Sequence, residues 1–319
     1  MATPVAAWAD ARSVPVFTPD VASGKPWQFA NAAQLTQDIV NLKPDLLVVA
    51  DYAQKIPAQL LAQIPAGGLN VHPSLLPKYR GPAPVPWALV NGETETGVSI
   101  VTLAEEFDSG TVIAQEKESI LSTDTTHSLL TRLFEKGAKL LVDTIPAYGH
   151  TELASASPAL NHGIPKPAST RLDSARLARG EQVRDDINHP MLSYTPRLTR
   201  NHGFIPWKLV QAAMRGESFS SLVMKQWNNV TIVKAFLDRK DTNYTSTPVA
   251  VLLDRAFRAF HSWPGIWSKI MVNGEEKRVK LLQVHLEKPT ILSLDEIQLE
   301  GKQPIRGKDV VNFLRQRTP

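Results

Sequence analysis

No cysteine occurs in the 319 residues. That excludes disulfides, thiolate metal sites and a thiol nucleophile, and it fits a reducing, cytoplasmic setting. Long apolar runs are also missing: no stretch approaches the roughly 18 residues that would span a bilayer, so no membrane partner is expected. The opening residues, MATPVAAWADARS, lack a charged segment followed by an apolar one and do not read as a signal peptide. The eight histidines show no H-x-x-x-H or comparable spacing, so no metal is expected. No internal repeat or low-complexity tract is found, and no obligate protein partner is evident.

What is present is an uneven charge. Residues 1–150 carry 10 Lys and Arg against 15 Asp and Glu, while residues 151–319 carry 25 against 16. A basic second half on a mildly acidic first half suggests a polyanionic partner for the second, although a solvated basic surface has the same composition.

The apolar pattern predicts an open α/β sheet in the first half. PVAAWADAR, NAAQLTQDIVNLK, IPAQLLAQI and VPWALVNG read as helices, the last closed by Asn91-Gly92. VPVF reads as a short strand, PDLLVVA as a buried parallel strand, and GGLNVH as the next strand. TGVSIVTLAEEFDSGTVIAQEKESI reads as two strands with a turn at Asp108-Ser109-Gly110, followed by a long amphipathic helix from TTHSLL. Residues 148–193 are rich in Pro, Ser and Ala and read as a linker. Helical patterns at about 208–260 precede an all-β end with a tight hairpin at Asn273-Gly274. The expected domains are thus 1–147, a linker 148–193, and 194–319, a small basic OB-like β-barrel with leading helices. Trp263, Pro264 and Trp267 are read as core packing of that barrel.

The segment GGLNVHPSLLPKYRG carries the chemistry. Alternate residues of a strand share a face, so Asn70 and His72 project together, from the carboxyl end of a strand, where ligands of open α/β sheets bind. A carboxamide N–H and an imidazolium N–H aimed at one point form a donor pair for a developing oxyanion. Asp108, in the turn of the later strand pair, would favour the protonated imidazole and hold the ring. No activated Ser or Cys accompanies them, which predicts acyl-type transfer directly to an external nucleophile. Lys78 and Arg80 are read as solvated loop charges, with phosphate or carboxylate contact as the alternative.

NVHPSLLPKYRGPAPVPWALVNGETETGVSI followed by FDSG strongly resembles the folate-dependent formyltransferase family, over roughly residues 3–147 and again over 194–319. The resemblance implies a Rossmann-like formyltransferase fold, 10-formyltetrahydrofolate as co-substrate, Asn70, His72 and Asp108 as the catalytic residues, and Ser74, Leu75, Leu76 and Pro77 as the tetrahydrofolate-contacting segment. YTPRLTRNHGFIPW, RAFHSWPGIW and LEGKQP resemble the branch that formylates initiator methionyl-tRNA. Two alternatives stay open. One is transfer to an amino sugar, because LVNGETETGV and the later Trp-Pro-Gly are shared with sugar N-formyltransferases. The other is an inactive RNA-binding remnant. MATPVAAWADARSVPVF is similar to an internal segment of the family, so Met1 is read as internal and a first strand-helix-strand, with a basic loop used on the tRNA acceptor end, as absent. Residues 208–254 read as an insertion, and Lys55 stands where the family is usually apolar.

Overall fold

The computed structural model describes residues 3–156, 194–218, 233–234 and 247–315. The described residues form two compact units that interleave along the chain. The first takes residues 3–72, 100–114 and 141–156, and the second takes the rest.

The first unit begins with α1 (Pro4–Asp10), whose first turn is capped by the Thr3 hydroxyl. The expected strand VPVF does not form; Val14, Val16 and Phe17 are exposed and unpaired by any strand. A run of four apolar residues becomes a strand only with a neighbouring ladder to bond. A hairpin that the apolar pattern did not announce follows, β1 (Val21–Ala22) and β2 (Lys25–Phe29). α2 (Ala32–Val40) forms where expected, with Asn31 Oδ1 accepting from Gln34 N. β3 (Leu47–Ala50) pairs parallel to β4 (Gly68–His72), Val49 opposite Asn70. Between them the predicted helix reduces to one turn, α3 (Ala58–Leu61).

The strand order is β3-β4-β5-β6, with β5 (Glu95–Thr102) and β6 (Val112–Ser119) each running from one unit into the other. The open α/β sheet is therefore present. PDLLVVA lies at its end rather than within it, and Val48 is 49% exposed where a buried strand was expected.

In the second unit α4 (Pro84–Asn91) starts on a proline at its first helical position and ends on Gly92, at φ 66°. α5 (Thr126–Ala156) also crosses between the units and runs nine residues into the stretch read as linker. After Tyr194 come α6 (Trp207–Met214) and α7 (Val249–Phe260). α7 turns Leu252, Leu253, Ala256, Ala259 and Phe260 into a core shared with α4, α6 and the strands below, and the Phe260 ring meets Trp87 edge-on at 6.2 Å. Most of the insertion 208–254 and of the linker falls outside the described residues.

The last part is antiparallel as expected. β7 (Ile266–Val272) and β8 (Glu275–Lys288) are joined at Asn273-Gly274, both at positive φ. β9 (Ile291–Leu299) and β10 (Ile305–Arg306) follow, and α8 (Lys308–Arg315) comes last. Their order β10-β9-β8-β7 has two ends, so among the described residues the sheet does not close into a barrel. The expected core role of the Trp-Pro-Gly-Ile-Trp segment also fails in part: Trp263 is 53% exposed, while Pro264 and Trp267 are half-buried. The segment follows directly on the last turn of α7, and its first ring stays outside the core that Phe260 and Ile266 close.

Asp124 anchors the start of α5. It is 3% exposed, and its two carboxylate oxygens accept from Arg132 Nη1 and Nη2 at 2.6 and 2.8 Å, from Ser128 Oγ at 2.9 Å and from Leu121 N at 2.8 Å. The hydrogen bonds from Arg132 lower the Asp124 pKa, against the opposing effect of burial.

Candidate active site

In the first unit, β4 delivers Asn70 and His72 to one side of the sheet, and both meet Asp108. Asn70 Nδ2 donates to Asp108 Oδ1 at 2.9 Å, and His72 Nδ1 lies 3.4 Å from that same oxygen. His72 is 4% exposed and the Asp108 side chain 9%. The three residues named from the sequence are thus brought together. Strand alternation places the first two, and a separate turn places the third.

That turn is tightly tied. Leu103 N donates to Gly68 O at 2.7 Å, Thr102 N to Thr111 O at 2.9 Å, Thr111 N to Thr102 Oγ1 at 2.8 Å, and Ser109 Oγ to Glu106 O at 3.0 Å. Gly110 is required for the closure, because a Cβ there would run into the Thr102 carbonyl. Asp108 itself sits at φ 52°, a left-handed conformation that Asp and Asn tolerate better than most residues.

The arrangement has a definite chemical capacity. With Nδ1 facing the carboxylate, Nε2 is on the opposite edge of the ring. The Asn70 amide carries a second N–H beside the one given to Asp108. Two N–H donors held on one strand face can meet an oxygen that gains negative charge.

In the second unit, Ser74, Leu75, Leu76 and Pro77 form the loop that leaves β4, with Leu76–Pro77 in cis. Ser74 is 1% exposed and its hydroxyl donates to Lys78 O at 2.7 Å. The loop backbone is held by Ser99: its Oγ donates to Ser74 O at 2.6 Å and accepts from Leu76 N at 3.1 Å. Gln115 Nε2 donates to both Leu76 O and Ser99 Oγ, at 2.9 and 2.8 Å. Ser99 and Gln115 hold this loop backbone, and neither was singled out from the sequence. A signal existed in Ser99, a polar residue inside the apolar run GVSIV and fully buried. Lys78 and Arg80 are half-buried, and the Arg80 carbonyl accepts from Thr195 N and Oγ1. Among the described residues no group of His, Asp and Glu is placed as metal ligands would be.

The formyl transferase family pattern matches residues 9–145. The methionyl-tRNA formyltransferase of Lactiplantibacillus plantarum is 41% identical over 145 residues, which are 46% of this chain and 43% of that protein. The methionyl-tRNA formyltransferase of Listeria welshimeri is 32% identical over 243 residues, 76% of this chain and 67% of the relative. That of Methylacidiphilum infernorum is 29% identical over 309 residues, 89% and 75%. The alignments thus span less than half of the first relative and two-thirds to three-quarters of the other two. The likeness to the Listeria protein runs through both halves of the chain, well beyond the segment from Asn70 to Asp108, and on that footing the chain belongs to the methionyl-tRNA formyltransferase family.

Proposed function

We propose that the chain transfers the formyl group of 10-formyltetrahydrofolate to the α-amine of methionine on initiator tRNA, in the cytoplasm. The observation that carries this is the convergence of Asn70 and His72 on one oxygen of Asp108. As the amine attacks the formyl carbon, the carbonyl oxygen gains charge, and Asn70 and His72 donate to it, each worth about 2–4 kcal/mol. Asp108 orients His72 and helps move the proton that the amine loses to N10 of the folate, as the bond from N10 to the formyl carbon breaks and tetrahydrofolate leaves. The segment directly following in sequence, Ser74–Pro77, contacts the pterin-bearing co-substrate through a backbone that Ser99 and Gln115 keep in one shape. The basic residues of the second half hold the RNA, which is the division of roles behind the segments 1–147, 148–193 and 194–319.

The test is direct: the full chain is incubated with 10-formyltetrahydrofolate and methionyl-tRNA, and formylmethionine is measured. Formylated product is expected, together with a tRNA complex that weakens steeply between about 50 and 200 mM salt, as counterion release requires. Formyl transfer to a nucleotide-linked amino sugar but not to methionyl-tRNA would replace this reading with the sugar one. Tight tRNA binding without any transfer would leave an RNA-binding protein only.

Asp108→Asn separates charge from shape. The asparagine keeps an acceptor oxygen and tolerates φ 52°, so the fold should be unchanged. Turnover is expected to fall about tenfold or more because the charge facing the imidazole is gone. Unchanged turnover would reduce Asp108 to a turn residue.

A further inference from the structure

The second unit contains a cavity of about 740 Å³ where α7 passes into β7. Arg200, His261, Trp263, Trp267, Arg278 and Lys280 line it, and among the described residues no carboxylate does. Trp267 is built into the wall. Its Nε1 donates to Arg200 O at 3.0 Å, and its ring lies 4.8 Å from Phe204 and 5.9 Å from the Arg278 guanidinium. Arg278 in turn is steadied by Glu300, at 3.2 Å. Trp263 differs from Trp267 in being more than half exposed.

A single exposed tryptophan means little. An exposed indole lining the same cavity as Arg200 and Lys280, with no acid among the lining residues, is a specific combination: a flat π-face for an aromatic ligand and cations for its anionic part. The volume lies in the range of small-ligand pockets, roughly 300–1,000 Å³. We infer that this cavity holds one unpaired nucleotide of an RNA, its base stacked on Trp263 and its phosphate on Arg200 and Lys280. The inference rests on the reading that the substrate is carried on RNA, and adds to it a place and a mode of contact. Any base offers a π-face, so the pocket is tolerant of sequence. It is intolerant of duplex, whose base faces are stacked on one another.

The experiment uses the full chain and two end-labelled probes, a single-stranded RNA octamer and a blunt RNA duplex, in fluorescence anisotropy over a salt series. Wild type is expected to bind the octamer, with Trp263→Ala about tenfold weaker on the octamer and unchanged on the duplex. Trp263→Phe, which keeps a π-face, should stay within about threefold of wild type on the octamer. Lys280→Gln should lower the slope of log affinity against log salt by about one for the octamer. Circular dichroism checks that each variant is folded, and Lys280→Gln, on a strand surface, keeps the test alive if Trp263→Ala does not fold. Failure of wild type to bind the octamer, wild-type octamer binding by Trp263→Ala, or equal weakening on octamer and duplex would each overturn the inference. Loss of these effects with formyl transfer intact would sink the pocket alone, whereas absent formyl transfer with the effects present would sink the enzymatic reading alone.

Discussion

Replacing His72 by alanine is expected to lower formyl transfer by a hundredfold or more while leaving the chain folded. The expectation comes from geometry: His72 is almost fully buried at the end of β4, on the same strand face as Asn70 and with Nδ1 turned to Asp108. Deleting one donor to a developing oxyanion typically costs about 10²–10³ in rate. The fold should survive because Asp108 keeps its bond from Asn70 and its turn is closed by Thr102, Thr111 and Gly110, none of which involves the ring. His72→Asn makes the comparison sharper, since it keeps a donor but cannot reach the position of Nε2. If either variant turned over within a few-fold of wild type under single-turnover conditions, the oxyanion assignment would fail. A drop in substrate affinity with unchanged turnover would instead mark His72 as a binding residue.

The second large effect falls on stability, at Asp124. Asp124→Ala removes a buried carboxylate that satisfies Arg132 through two hydrogen bonds and also Ser128 and the Leu121 backbone. Arg132 is itself partly exposed, so losing these charge-assisted hydrogen bonds is worth about 1.5–3 kcal/mol, which corresponds to a thermal midpoint lower by several degrees. Glu118, which Arg132 also touches, is no substitute because it is shared with Lys136. The pH dependence carries a second readout. The Asp124 pKa is lowered in the folded chain, so its contribution is fully present above the unfolded carboxyl value, near pH 4, and is lost as pH falls through the folded value. Glu118 adds in the same direction: burial alone would raise it, but the hydrogen bonds and charges of Lys136 and Arg132 prevail and lower it. Wild type should therefore lose stability steeply below about pH 4, and Asp124→Ala less steeply. A variant with a wild-type midpoint would show that the start of α5 is held by the core contacts of Leu129 and Leu133 alone.

The sequence by itself determined those features whose cause is local. The period of two along GLNVH places Asn70 and His72 on one face whatever surrounds the strand. Asn273-Gly274 makes a hairpin because both positions take positive φ, and Asn31 starts α2 because its side chain caps the next turn. Asp108 could be offered from its turn as the carboxylate such a pair needs, but nothing local brings it to a strand 38 positions earlier. Only the tertiary structure decided the rest. VPVF has the composition of a strand but no ladder, and PDLLVVA is a strand whose place at the end of the sheet leaves Val48 in solvent. Trp263 and Trp267 sit four residues apart in an apolar motif, yet one is wedged between Phe204 and Arg278 and the other lies largely open. The knot of Ser99 and Gln115 on the Ser74–Pro77 loop, and the grip of Arg132 on Asp124, depend on where separate strands and helices meet. Propensity and periodicity act over a few residues. Exposure and hydrogen-bond partnership are set by which distant surfaces the core brings together, and that is why they had to be read from the folded chain.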